Sequence, residues 1–163
     1  MEPSNKPKIA STNRAKHRPS RSTGSQPVTV DTYESDQLFP DIERAVASIL
    51  ATGKVVAPTE VLVRMRLLSP QDIEAWRFGR ISYLERAIDG DPEYLGRLLK
   101  VLTFHCHAQN LVATPTVYMS AGNPPLVPLR FTKNREQALE KIYAKHFVWP
   151  GKIPFHPPHP VED

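Results

Sequence analysis

Proline and helix-capping residues recur at close intervals through the middle of this chain, and they limit it to a series of short helices. Ile42, Val46, Ile49 and Leu50 fall at helical spacing between Pro40 and Gly53, which predicts a helix over Pro40–Thr52 with Gly53 in the left-handed position after it. Ala57-Pro58-Thr59 opens a second helix, with Val61, Leu62, Met65 and Leu68 as its apolar positions. Ser69-Pro70 reads as the N-cap and first residue of a third, which carries Ile73 and Trp76 and stops at Gly79. Ser82-x-x-Glu85 has the form of a capping box and predicts a fourth, carrying Leu84 and Ile88 to Gly90. Asp91-Pro92 restarts the chain, and Leu95, Leu98, Leu99, Leu102 and Cys106 form one continuous stripe.

Beyond Leu111 the pattern changes. β-Branched and aromatic residues flank Gly122-Asn123-Pro124-Pro125, which predicts a β-hairpin with strands around Thr116–Ser120 and Leu129–Thr132 and Pro128 at a strand start or an edge. Asn134-x-x-Gln137 then caps a final helix carrying Ala138, Leu139, Ile142, Tyr143 and His146. The predicted fold is α+β, mainly α: five to six helices and one C-terminal β-hairpin.

Charge separates this body from its ends. Residues 1–30 hold Lys6, Lys8, Arg14, Lys16, Arg18 and Arg21 against Glu2 alone, a balance of +5, while the remaining 133 residues balance at −1. The basic character therefore belongs to an arm, not to the fold. That arm has no aromatic residue, so it lacks the apolar surface to offset its ordering entropy. Residues 1–35 are expected to be a disordered basic tail, residues 36–149 a helical domain with the hairpin, and residues 150–163, with five prolines, a flexible extended end that could dock in an aromatic groove. No apolar run approaches the roughly 20 residues that span a bilayer, and no apolar stretch follows the basic N-terminus as in a secretory signal. With Cys106 as the only cysteine, no intramolecular disulfide can form, and the expectation is a soluble cytoplasmic protein without a membrane partner.

Residues 59–80 resemble a helix-turn-helix of the phage-repressor type. Leu62 and Leu68 stand where the first helix and the turn pack inward, Ser69 caps the second helix, Ile73 and Trp76 anchor it, and Gly79-Arg80 closes it. A short turn must hold two helices at a steep angle, and apolar residues at fixed offsets lock that angle. The resemblance implies that Gln71 faces bases and that Arg64, Arg66, Arg77 and Arg80 contact backbone phosphate. Two features depart from the family: Leu67 occupies the turn position usually held by glycine, and the outer face of the second helix carries Asp72 and Glu74. The stretches 67–86, 129–133 and 143–149 also resemble bacterial proteins to which no activity is attached, which implies a bacterial source and nothing about function.

Catalytic and metal chemistry find little purchase. His105-Cys106-His107 are adjacent on a helix and do not converge on one point. Cys106 lies in the apolar stripe, unlike a reactive thiolate, which needs an electropositive, partly exposed setting. No Gly-rich phosphate loop and no paired-carboxylate or Ser-His-Asp arrangement stands out. The expectation is a protein that is not an enzyme and carries no cofactor or metal. It would be a nucleic-acid-associated accessory or regulatory protein whose basic arm supplies attraction to phosphate. The rival is a protein-interaction module that binds no nucleic acid. The two differ in whether Arg64, Arg66, Arg77, Arg80, Arg130 and Lys133 share a face or are dispersed and paired with acids.

Overall fold

The computed structural model describes residues 27–151. Among them are five α-helices: α1 (Phe39–Thr52), α2 (Pro58–Arg64), α3 (Pro70–Arg77), α4 (Pro92–Ala108) and α5 (Gln137–Tyr143). Three short strands, β1 (Val55–Val56), β2 (Val112–Pro115) and β3 (Lys145–Val148), form an antiparallel sheet in the order β1-β3-β2. The fold is thus α+β and mainly α.

The helices start where local chemistry says they should. Proline stands in the first turn of α1, α2, α3 and α4, where its missing N–H is not needed. The Ser69 hydroxyl accepts from Asp72 N–H at 3.1 Å, and the Asp91 carboxylate from Tyr94 N–H at 2.8 Å. The long α4 packs against α1, and the apolar stripes of both (Ile42, Val46 and Ile49 in α1; Leu95, Leu98 and Leu102 in α4) are buried. In the sheet, Val56, Ala113 and Phe147 lie side by side, with Val56 and Phe147 buried, while Val55 and Val112 point to solvent on either side of Val148.

A second centre of the core is aromatic. Trp76 is fully buried, and its indole N–H donates to the Arg130 carbonyl at 2.8 Å. Its ring lies 5.0 Å from that of Phe131 and 5.7 Å from that of Tyr118, and Phe131 stacks on Tyr143 at 5.1 Å. These contacts pin the hairpin segment to α3 and α5. In that segment Met119 pairs with Pro128, Leu129 N–H donates to the Tyr118 carbonyl at 2.7 Å and Ser120 N–H to the Val127 carbonyl at 2.8 Å. The chain folds back on itself around the predicted turn, with Pro128 at the bridge, but the predicted strands Thr116–Ser120 and Leu129–Thr132 do not form: a single isolated bridge joins the two arms.

Five further local expectations are corrected. Gly53 is extended (φ −154°), not left-handed, because the chain runs straight from α1 into β1. The Ser82-x-x-Glu85 capping box does not form. Only a 3-10 turn, Leu84–Ala87, appears, and the Leu84 and Glu85 N–H groups donate to the carbonyls of Arg130 and Phe131. Glu85 turns instead to Tyr143, accepting its hydroxyl proton at 2.9 Å. Asn134 does not cap α5: Glu136 holds that place, and Glu140 reaches back to accept the Phe131 and Thr132 N–H groups at 2.9 and 3.1 Å. His146 lies in β3, beyond the helix end. Finally, residues 27–35, given to the tail above, carry Val28 and Tyr33 into the core. Asp36, at the edge of this segment, is buried against Arg97 at 2.6 Å.

Candidate functional site

The α2–turn–α3 unit is held by two matching helix ends. After α2, Arg66 N–H donates to the Val63 carbonyl at 3.0 Å and Leu67 N–H to that of Leu62 at 2.9 Å. After α3, Gly79 N–H donates to the Trp76 carbonyl at 3.1 Å and Arg80 N–H to that of Ala75 at 2.8 Å. Both are Schellman closures, which require a left-handed residue. At the second that residue is Gly79 (φ 80°); at the first it is Arg66 (φ 61°), a side chain in a conformation that favours glycine. The turn's unusual residue is thus Arg66, one position before the Leu67 singled out in the sequence.

Trp76 turns α3 so that Gln71, Glu74 and Arg77 are exposed and Asp72, Ile73 and Ala75 are half-buried. Beside the start of α3, the turn after α2 and the 84–89 segment enclose an open cleft of about 870 Å³. A hydrogen bond of 2.8 Å from Asp89 N–H to the Leu67 carbonyl joins its two sides. Arg66, Arg80 and Arg86 line it, with Asp72 and Asp89 as its carboxylates and Val63, Ile81 and Ala87 among its apolar walls. All three arginines are exposed. The Arg80 guanidinium also lies over the Phe78 ring, 5.8 Å from its centre; Phe78 is 48% exposed and lies outside the cleft's lining.

Of the residues singled out in the sequence, the structure brings Arg66 and Arg80 together. Arg64 points elsewhere: it donates to the Ser48 hydroxyl at 2.8 Å and lies 3.7 Å from Glu60. Arg77 is exposed at the end of α3, and its carbonyl accepts from Ala121 N–H at 2.8 Å. Arg130 is occupied by the carbonyls of Ser82 and Lys133, both at 3.1 Å, and lies over the Tyr83 ring. Lys6, Lys8, Arg14, Lys16, Arg18 and Arg21 lie outside the described residues. Of the six basic residues compared in the sequence, only Arg66 and Arg80 share the cleft, with Arg86 and two carboxylates; Arg64, Arg77, Arg130 and Lys133 do not line it, which on that comparison favours the protein-interaction reading outside the cleft. Arg86 was missed because no motif surrounds it; it joins the cluster only through the path of the chain after α3. Phe78 carried one signal, a large apolar side chain directly before a helix-ending glycine.

The sulfur and imidazole groups divide between core and surface. His105 and Cys106 are buried in α4 while His107 is exposed, its ring edge-on to Phe147. Burial pushes the Cys106 thiol up to about 12, far from thiolate chemistry. Burial likewise lowers His105, whose ring meets that of Phe39 edge-on. His146 bonds the Tyr118 hydroxyl at 2.7 Å. Among the described residues no three His, Cys, Asp or Glu side chains are grouped to hold a metal ion, and no helix is long and apolar enough to cross a membrane. Comparison of the chain with protein-family models, with curated proteins and with solved structures finds no match.

Proposed function

We propose that this is a cytoplasmic nucleic-acid-associated accessory protein that holds phosphate in two ways: loosely, through the basic arm, and in register, through the cleft beside the α2–α3 pair. The observation that carries this reading is the convergence of Arg66, Arg80 and Arg86 on one concave surface. Guanidinium groups donate in a planar fork that matches phosphate oxygens, and contacts of this kind position a protein without reading sequence. The arm adds the long-range attraction that a body of charge −1 lacks. The role is accessory rather than sequence-reading, because α3 offers Gln71 beside Glu74 on its outer face.

A second reading, a protein-interaction module, draws on a different observation. Val117, Met119, Leu126 and Val127 of the hairpin segment are all exposed, an apolar surface of the kind that partners cover. Anisotropy titrations of labelled DNA and RNA separate the two readings. Full-length protein is expected to bind, and Arg66→Ala/Arg80→Ala/Arg86→Ala to bind at least about tenfold more weakly, the loss of three phosphate contacts. If the parent protein binds neither nucleic acid, the protein-interaction reading replaces this one.

A further inference from the structure

Resting on the reading above, we infer that the nucleic acid this surface takes is a single strand, with an unpaired base stacked on Phe78 and the adjoining phosphates on Arg66, Arg80 and Arg86. Three observations meet here. The first concerns α3, the helix that a repressor-like protein would insert in the major groove. Its exposed face carries Glu74. A duplex groove is walled by phosphate on both sides, so insertion would bring this carboxylate against like charge.

The second observation is Phe78. A ring this exposed, directly after α3, is fixed in place: Trp76 anchors the helix that carries it, and the hairpin closes on one side. A Cβ on Gly122 would stand 3.6 Å from that ring, so the hairpin backbone passes in ordinary contact with it. The Arg80 guanidinium lies over the ring, 5.8 Å from its centre, so a base would stack on the pair they form. An aromatic face beside a guanidinium plane is a stacking platform for a base, and bases inside a duplex are already stacked on one another and offer only their edges. The third is shape. The cleft is concave, and three guanidinium groups, the Asp72 and Asp89 carboxylates and apolar surface from Val63, Ile81 and Ala87 all line it. A splayed-out nucleotide brings a flat base face together with a charged phosphate to such a lining; a duplex keeps its base faces stacked inside and offers phosphates, sugars and base edges.

The test compares a labelled oligothymidylate with a labelled duplex of the same length, both titrated with full-length protein at one low salt concentration. Oligothymidylate is expected to bind at least about tenfold more tightly. Phe78→Ala is expected to weaken it about 5- to 150-fold, the range for one stacked base, and to leave duplex binding unchanged. Phe78→Trp keeps an aromatic face and is expected to retain the single-strand affinity, which separates loss of stacking from damage to the fold. Duplex binding as tight as single-strand binding, or a Phe78→Ala variant of unaltered affinity, overturns the inference and leaves the proposed function standing. Failure of both probes and of a labelled single-stranded RNA to bind overturns the proposed function, and the inference with it.

Discussion

Single residues here fix more than their own surroundings. Trp76 fills the junction of α3 with the hairpin segment, and its indole N–H satisfies the Arg130 carbonyl. Trp76→Ala removes both the packing and the donor, so thermal or denaturant unfolding is expected to show a loss of about 3–5 kcal/mol. A loss under about 1 kcal/mol would mean that the aromatic centre does not hold the hairpin. The Trp76 role was legible in the sequence, from its place after Ile73 on a helix with acids opposite. His105 was legible only as part of an apolar helix. Its burial lowers its proton affinity, against smaller opposing effects of Glu43 and Glu34. The folded protein therefore holds it neutral, while the unfolded chain takes up a proton near the ordinary value of 6.5. The stability it contributes is present above that value and is lost as pH falls toward its folded value. Between about pH 7.5 and 5.5 the parent protein should lose more stability than His105→Gln. The burial-raised carboxyl of Glu85 slopes the opposite way, is common to both proteins and cancels in the difference.

At the scale of elements, what could be read in advance was what neighbours in sequence decide. The starts of α2, α3 and α4 follow from Pro58, Ser69-Pro70 and Asp91-Pro92, whose caps act within four residues. The Ser82-x-x-Glu85 box has equal local credentials and fails, because the backbone of residues 130–131 takes the N–H groups of Leu84 and Glu85 first. The sheet was illegible for the same reason. β1 has two residues and β3 follows α5 directly, so only distant pairing makes them strands. The cleft shares this origin, since Arg86 reaches Arg66 and Arg80 through a turn that no cap announces. The turn after α2 yields a prediction of its own. Arg66 holds a left-handed conformation that costs a side chain about 1–2 kcal/mol. Arg66→Gly is expected to stabilise the fold by roughly 0.5–1 kcal/mol in denaturant unfolding, after the entropy glycine loses on ordering, while weakening nucleic-acid binding. Such opposed effects on one residue mark a side chain kept for a ligand; destabilisation instead would show that the Arg66 side chain supports the turn.

For the molecule as a whole, the proposed function divides the labour between the six cations of residues 1–26 and a near-neutral body with one cluster of guanidinium groups. The body begins earlier than its composition suggested, since Val28 and Tyr33 are buried and Asp36 pairs with Arg97. An arm deletion that spares the core therefore stops at residue 26, and it still removes all six arm cations. The most direct test is the slope of log affinity against log salt for a single-stranded oligonucleotide. It is measured on the full chain, on the chain lacking residues 1–26, and on Arg66→Ala/Arg80→Ala/Arg86→Ala. Each phosphate contact on a single strand contributes about 0.7 to that slope. The triple substitution is expected to flatten it by about 2, and the deletion by up to about 4, with the two losses adding. A triple variant whose slope equals that of the full chain would contradict the account, because the cleft would then touch no phosphate at all.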